Sequence, residues 1–179
     1  MADAAPLYGL LAEFESPDDL LAAAERTHAE GYRRLDAYTP FPIEGLAEAI
    51  GFHHNRLPLL VLIGGMAGAA GGFGLQYWVA AITYPINIGG RPFNSWPSFI
   101  PVTFEMTVLL AALTAVLGLL ALNGLPMPYH PVFNVPRFAL ATRDRFFLCI
   151  EATDPRFERE TTRRFLERLG PREVSDIVP

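Results

Sequence analysis

Residues 58–82 read PLLVLIGGMAGAAGGFGLQYWVAAI, and no charged residue interrupts them. A second apolar run, FIPVTFEMTVLLAALTAVLGLLAL at 99–122, is broken only by Glu105. Crossing a hydrocarbon core ~30 Å thick takes about 20 apolar residues in helix, and both runs reach that length. An amphipathic helix of a soluble core shows a polar face, and neither run has one. The pattern predicts two membrane-spanning helices, at about 58–82 and 99–122, joined by a short loop. Across 57–136 the charged side chains are Arg91 and Glu105 alone.

The flanks, 1–56 and 137–179, are each short for an independent domain. Two spans return the chain to the side it left, so the flanks can meet and form one soluble domain into which the hairpin region 57–136 is inserted. Each flank repeats one plan: a strand, Ser or Asp followed by Pro, a helix closed by Gly, and another strand. In the first, Ser16-Pro17-Asp18-Asp19 opens a helix with an N-cap, a proline at the first position and acids in the first turn, and Gly31 ends it. Strands are predicted at 7–14 and 32–38, with a short helix at 44–50. In the second, 138–153 reads as extended chain with a buried stretch Phe146-Phe147-Leu148-Cys149-Ile150. Asp154-Pro155 opens a helix that Gly170-Pro171 stops, and 173–178 is a last strand. Two such units make an α+β, ferredoxin-like β-α-β–β-α-β sandwich with both helices on one face of the sheet.

Composition narrows the function. The chain has 179 residues with 14 basic and 19 acidic side chains, so no basic patch invites nucleic acid. The single cysteine, Cys149, excludes an intramolecular disulfide, a cysteine-ligated iron–sulfur cluster and a c-type haem attachment motif. Of the four histidines (His28, His53, His54, His130) none falls within a span, which excludes paired histidine ligands for a membrane haem in this chain alone. The first apolar run lies far from Met1, unlike a cleavable signal peptide. Neither a nucleophile–base pair nor metal-ligand spacing suggests an autonomous enzyme.

Gly64, Gly68 and Gly72 recur at four-residue steps in the first span. In a lipid-embedded helix such spacing lets another backbone approach closely. A phosphate-binding glycine loop is the soluble-protein reading of the same residues. The second span carries a matching stripe: Thr103, Thr107, Ala111, Ala115 and Gly118. The simplest pairing sets the two stripes together, which turns Glu105 away from the first span. Glu105 is then an acid near the interface, a contact for a neighbouring subunit, or a group on a proton path. The interspan loop is apolar and aromatic, suited to the membrane interface. Its Arg91 can hold a lipid phosphate or a partner's acid. His130, between Tyr129 and Pro131, is a structural hydrogen-bonder or a ligand. Prolines 126, 128, 131 and 136 enforce an extended path after the second span. Arg56 and Arg137 flank the terminal side against Arg91 on the loop side, which favours both termini in the cytoplasm.

In order and spacing, several short motifs together resemble one family. They are Pro40-Phe41-Pro42, Leu62-Ile63-Gly64-Gly65, and Gly89-Gly90-Arg91-Pro92 followed by Ser95-Trp96-Pro97. Thr103-Phe104-Glu105, Asn123-Gly124-Leu125-Pro126, His130-Pro131-Val132-Phe133 and Asp144-Arg145-Phe146 complete the set. From Tyr8-Gly9-Leu10 to the last strand the chain resembles the D-type (ActD) subunit of bacterial alternative complex III. It departs from the pattern at Glu44, where a histidine is expected. The resemblance implies a bacterial inner-membrane, multi-pass accessory subunit of a respiratory quinol oxidoreductase, with no catalytic residue of its own. It implies that iron–sulfur clusters and c-type haems sit on partner subunits. Those partners would be polytopic quinol-binding subunits, an iron–sulfur subunit, c-type cytochromes and, in some assemblies, a terminal oxidase. The alternative is a membrane-anchored ferredoxin-like domain that senses a small ligand.

Overall fold

A strand whose neighbours cover both faces can be apolar throughout, and GLLAEF at β1 (Gly9–Phe14) is buried at every residue, Glu13 included. The computed structural model describes residues 7–52 and 55–179, so His53 and His54 lie outside the described residues. Helix α1 (Pro17–Glu30) follows with the predicted chemistry. The Ser16 hydroxyl accepts from the Asp19 N–H at 3.1 Å, and Gly31 closes the helix at φ 103°, a left-handed conformation suited to glycine. Strand β2 (Leu35–Tyr38) and the short α2 (Leu46–Ala49) complete the first flank. The second flank supplies β3 (Phe146–Glu151), α5 (Arg159–Arg168) and β4 (Glu173–Ile177).

The fold is α+β around a four-stranded antiparallel sheet in the order β2-β3-β1-β4. Each flank contributes one central and one edge strand, so the flanks interleave. Alternation along the strands sorts side chains to two faces. Leu10, Ala12, Phe14, Leu148 and Ile150 meet Leu20 and Ala24 of α1 and Leu166 of α5. On the opposite face Leu11, Phe147, Cys149 and Ile177 meet Val132, Val135, Phe138 and Ala141. Burial of each large side chain contributes roughly 1.5–3 kcal/mol, so covering the second face is a substantial part of the stability.

The structure differs from the sequence reading in three ways. Residues 138–142 are not extended: 3-10 turns at Pro131–Asn134 and Pro136–Thr142 form a strap over the sheet. The prolines at 131 and 136 stand at the first position of each turn, where a missing N–H does no harm. The described residues divide into one compact unit of 7–52 with 128–179 and another of 55–127, so 128–136 goes with the sheet and not with the hairpin region. Helix α5 begins at Arg159, later than expected, because Asp154 is engaged elsewhere. Its Oδ2 accepts from the Arg33 and Arg34 N–H groups at 2.6 and 2.8 Å, and its Oδ1 from Arg156 N–H at 2.8 Å.

The second unit is a helical hairpin. Helix α3 (Leu57–Tyr77) runs on as a π-helix over Trp78–Thr83, and α4 spans Trp96–Leu122. Each continuous helical stretch has 27 residues and is long and apolar enough to cross a membrane. On α3 only Gly65, Gly68 and Gly72 are buried, and on α4 only Phe99. Leu62, Ile63, Met66, Phe104, Leu113 and Leu117 stand exposed.

Candidate functional site

The hairpin seam brings the two small-residue stripes together. A Cβ on Gly68 would collide with the Met106 carbonyl oxygen, and would lie 2.8 Å from the Met106 carbonyl carbon and 2.9 Å from the Thr107 Cα. These are backbone atoms, so nothing can swing aside, and Gly68 is a point of main-chain contact between α3 and α4. One turn earlier, a Cβ on Gly64 would strike the Thr114 hydroxyl and sit 3.1 Å from Leu110 O. One turn later, a Cβ on Gly72 would meet Met106 Cβ at 3.0 Å and Thr103 Cα at 3.3 Å. Between them Gly65 faces Ala111 and Thr107 at ordinary contact distance. Gly118 faces Leu57 and Leu60, and Ala115 is half-buried. Sequence reasoning missed Met106, Leu110 and Thr114. They belong to the same face at three- and four-residue steps, but their size hid them from a search for small residues.

Gln76 also escaped it. Its amide Nε2 donates to Gly72 O on its own helix and to Phe99 O on α4, each at 3.0 Å, with the Thr103 hydroxyl at 3.4 Å. It is the one amide side chain in the first apolar run, which is the signal that could have exposed it. Glu105 lies on the exposed side of α4.

Between the helices, Gly89 and Gly90 take positive φ values of 61° and 75°, and Asn87 Oδ1 accepts from the Gly90 N–H at 3.0 Å. This turn presents Arg91. Its Nε donates to the Ser95 hydroxyl at 2.8 Å, and another guanidinium nitrogen donates to the Ser98 hydroxyl. Arg91 lines a cavity of about 340 Å³ with Ala80, Tyr84, Ile86, Ile88 and Phe93.

In the sheet unit, His130 is held at the start of the strap. Its Nδ1 accepts from Val132 N–H at 3.4 Å, which leaves the ring proton on Nε2, 3.1 Å from the Tyr8 hydroxyl. Tyr8 and His130 also meet edge to face at 5.1 Å. Around them, burial first and then the negative charges of Glu151 and Asp36 push the Tyr8 hydroxyl up to about 12. Burial and Glu151 raise the Asp36 carboxyl against the opposing pull of His130 and Tyr38. The Cys149 thiol is fully buried and pushed up by that burial, then by Asp36 and Glu151. It stays a protonated, inert core group at neutral pH. Glu13, 2% exposed, accepts two 2.6 Å hydrogen bonds from Arg137, with Arg145 Nε at 3.6 Å. This fork–fork pair ties the strap to β1. Among the described residues no group of three or more His, Cys, Asp or Glu is placed to hold a metal ion.

The polar groups of the sheet unit thus anchor its own parts, while the hairpin offers a tight seam inside and an apolar surface outside. No curated protein matches the chain. The family model described as alternative complex III, ActD subunit, matches residues 8–176, a span containing β1 to β3, β4 up to its penultimate residue, both long helices and the Arg91 loop. The chain belongs to the ActD-subunit family of alternative complex III.

Proposed function

We propose that this chain is a non-catalytic structural and assembly subunit of a respiratory quinol oxidoreductase. It crosses the bacterial inner membrane twice, with both termini in the cytoplasm. The observation that carries the reading is the hairpin surface. Two membrane-length helices use glycines and threonines for one another and leave nearly all their large apolar side chains uncovered. In water such a surface is an aggregation site, whereas in a bilayer it faces lipid tails and neighbouring helices. The strand order β2-β3-β1-β4, with interleaved halves, supports a ferredoxin-like sandwich for the other unit. The partners are the polytopic quinol-binding subunits, the iron–sulfur subunit and the c-type cytochromes, which carry the clusters and haems. Lipids complete the surroundings, and Glu105, exposed on α4, is available to a neighbouring helix.

The test is extraction from native membranes in mild detergent, followed by native electrophoresis and mass spectrometry of the band that contains the chain. Co-migration with a multihaem cytochrome, an iron–sulfur subunit and polytopic subunits is expected. Migration alone would overturn the assembly role.

A further inference from the structure

The geometry points to a binding site for an anionic phospholipid on the interhelical loop, with Arg91 on the phosphate and an acyl chain in the adjoining cavity. This deepens the membrane reading above and rests on it. The cavity measures about 340 Å³ and is walled by Ala80, Tyr84, Ile86, Ile88 and Phe93, within the ~300–1,000 Å³ of small-molecule sites. Arg91 is the only cationic side chain that lines it.

Three features favour a phosphate headgroup at that position. Arg91 forms no ion pair among the described residues, and the one acid of the hairpin unit, Glu105, stands on α4 with no hydrogen bond to it. Its guanidinium is steadied by the hydroxyls of Ser95 and Ser98, neutral acceptors that leave its charge uncompensated. A guanidinium held in this way keeps part of its planar donor fork for an outside oxyanion, the geometry that phosphate matches. The backbone beneath is set by the Gly89-Gly90 turn and the Asn87 hydrogen bond, so the cation is presented from an ordered loop. Tyr84 and Phe93 place aromatic rings beside the charge, as at a membrane–water interface. An unneutralised cation beside an apolar cavity selects a ligand with a negative head and an apolar tail. A zwitterionic headgroup would bring a second cation toward a guanidinium that has no acid to share.

The experiment uses the intact complex, reconstituted in phosphatidylcholine vesicles doped with a phospholipid that carries a diazirine on one acyl chain. The headgroup of the probe is either phosphoglycerol, which is anionic, or phosphocholine. After irradiation, mass spectrometry locates the label along this chain. The anionic probe should label Tyr84–Phe93 about fivefold more than the zwitterionic one, the factor that one basic residue near a membrane surface supplies. Arg91→Gln should abolish that preference, and Arg91→Lys should retain it. Equal labelling by the two probes, or a preference that survives Arg91→Gln, would overturn the site. Absence of label at Tyr84–Phe93, with a crosslink there to an acidic partner segment, would assign Arg91 to a protein contact and overturn it too. Release of the chain from membranes by alkaline carbonate would instead refute the membrane reading, independently of any labelling.

Discussion

The seam of the hairpin and the core of the sheet solve one packing problem with opposite side chains. In the sheet unit, leucines and phenylalanines fill both faces, and the drive is removal of apolar area from water. In the hairpin the outer surface is as apolar as the inner one, so transfer from lipid to the seam gains little. What remains is close van der Waals contact and a few interhelical hydrogen bonds. Gly68 against the Met106 and Thr107 backbone is the first of these, and Gln76 to Phe99 O is the second. Side-chain size therefore has opposite value in the two units: adding atoms strains the seam, and removing them empties the core.

Substitutions can break each unit separately. The largest effect is expected from Gly68→Leu, because a side chain there meets backbone that cannot yield. Assembled complex on a native gel should fall severely, while carbonate-resistant insertion and hydrogen-exchange protection of β1 and β3 persist. Leu148→Ala should do the converse. Leu148 is 0% exposed, and a buried Leu→Ala change costs about 2–5 kcal/mol. Exchange of β1 and β3 amides should accelerate accordingly, with the seam of α3 and α4 still protected.

A smaller effect is expected at Asp154. Burial alone would raise its carboxyl, but the amides of Arg33, Arg34 and Arg156, with the Arg156 charge, hold it below the usual carboxylate range. A folded value below the unfolded one, about 4, gives stability that is complete above that pH and lost as pH falls through the folded value. Asp154→Ala should therefore destabilise the sheet unit by about 2–3 kcal/mol at pH 7. The gap between variant and parent should shrink below about pH 4, as read from exchange rates of the β3 amides across a pH series. The smallest effect sharpens the hairpin side of the comparison. Gln76→Leu removes the interhelical hydrogen bonds to Phe99 O and the Thr103 hydroxyl and should weaken helix association by about 0.6 kcal/mol, the Thr103 share being read from a double-mutant cycle with Thr103→Val.

The same contrast explains what the sequence discloses. Local signals are legible. The Ser16 cap, the Gly31 stop, the two apolar runs and the four-residue glycine spacing each act within a few residues of themselves. The strap at 131–142 is not legible, because prolines that read as extended chain fold into 3-10 turns only against Phe147, Cys149 and the Glu13 carboxylate. Asp154-Pro155 has the form of a helix start, but the Oδ2 of Asp154 goes to the Arg33 and Arg34 amides, 121 and 120 residues away. The seam was half legible. Glycine and alanine announce close packing, whereas Met106 enters through its backbone and Cβ and Gln76 through the reach of its amide, and both contacts depend on the rotation that the glycines set.

Deletion of this chain bears most directly on the proposal that it assembles the complex without chemistry of its own. The gene for this chain is deleted in its native host, and quinol oxidation is measured per haem in whatever complex remains. The expected result is a sharp fall in the amount of assembled complex, with near-parental turnover in each residual assembled particle. Full assembly with lost turnover would place chemistry in this chain and contradict its role as an assembly subunit.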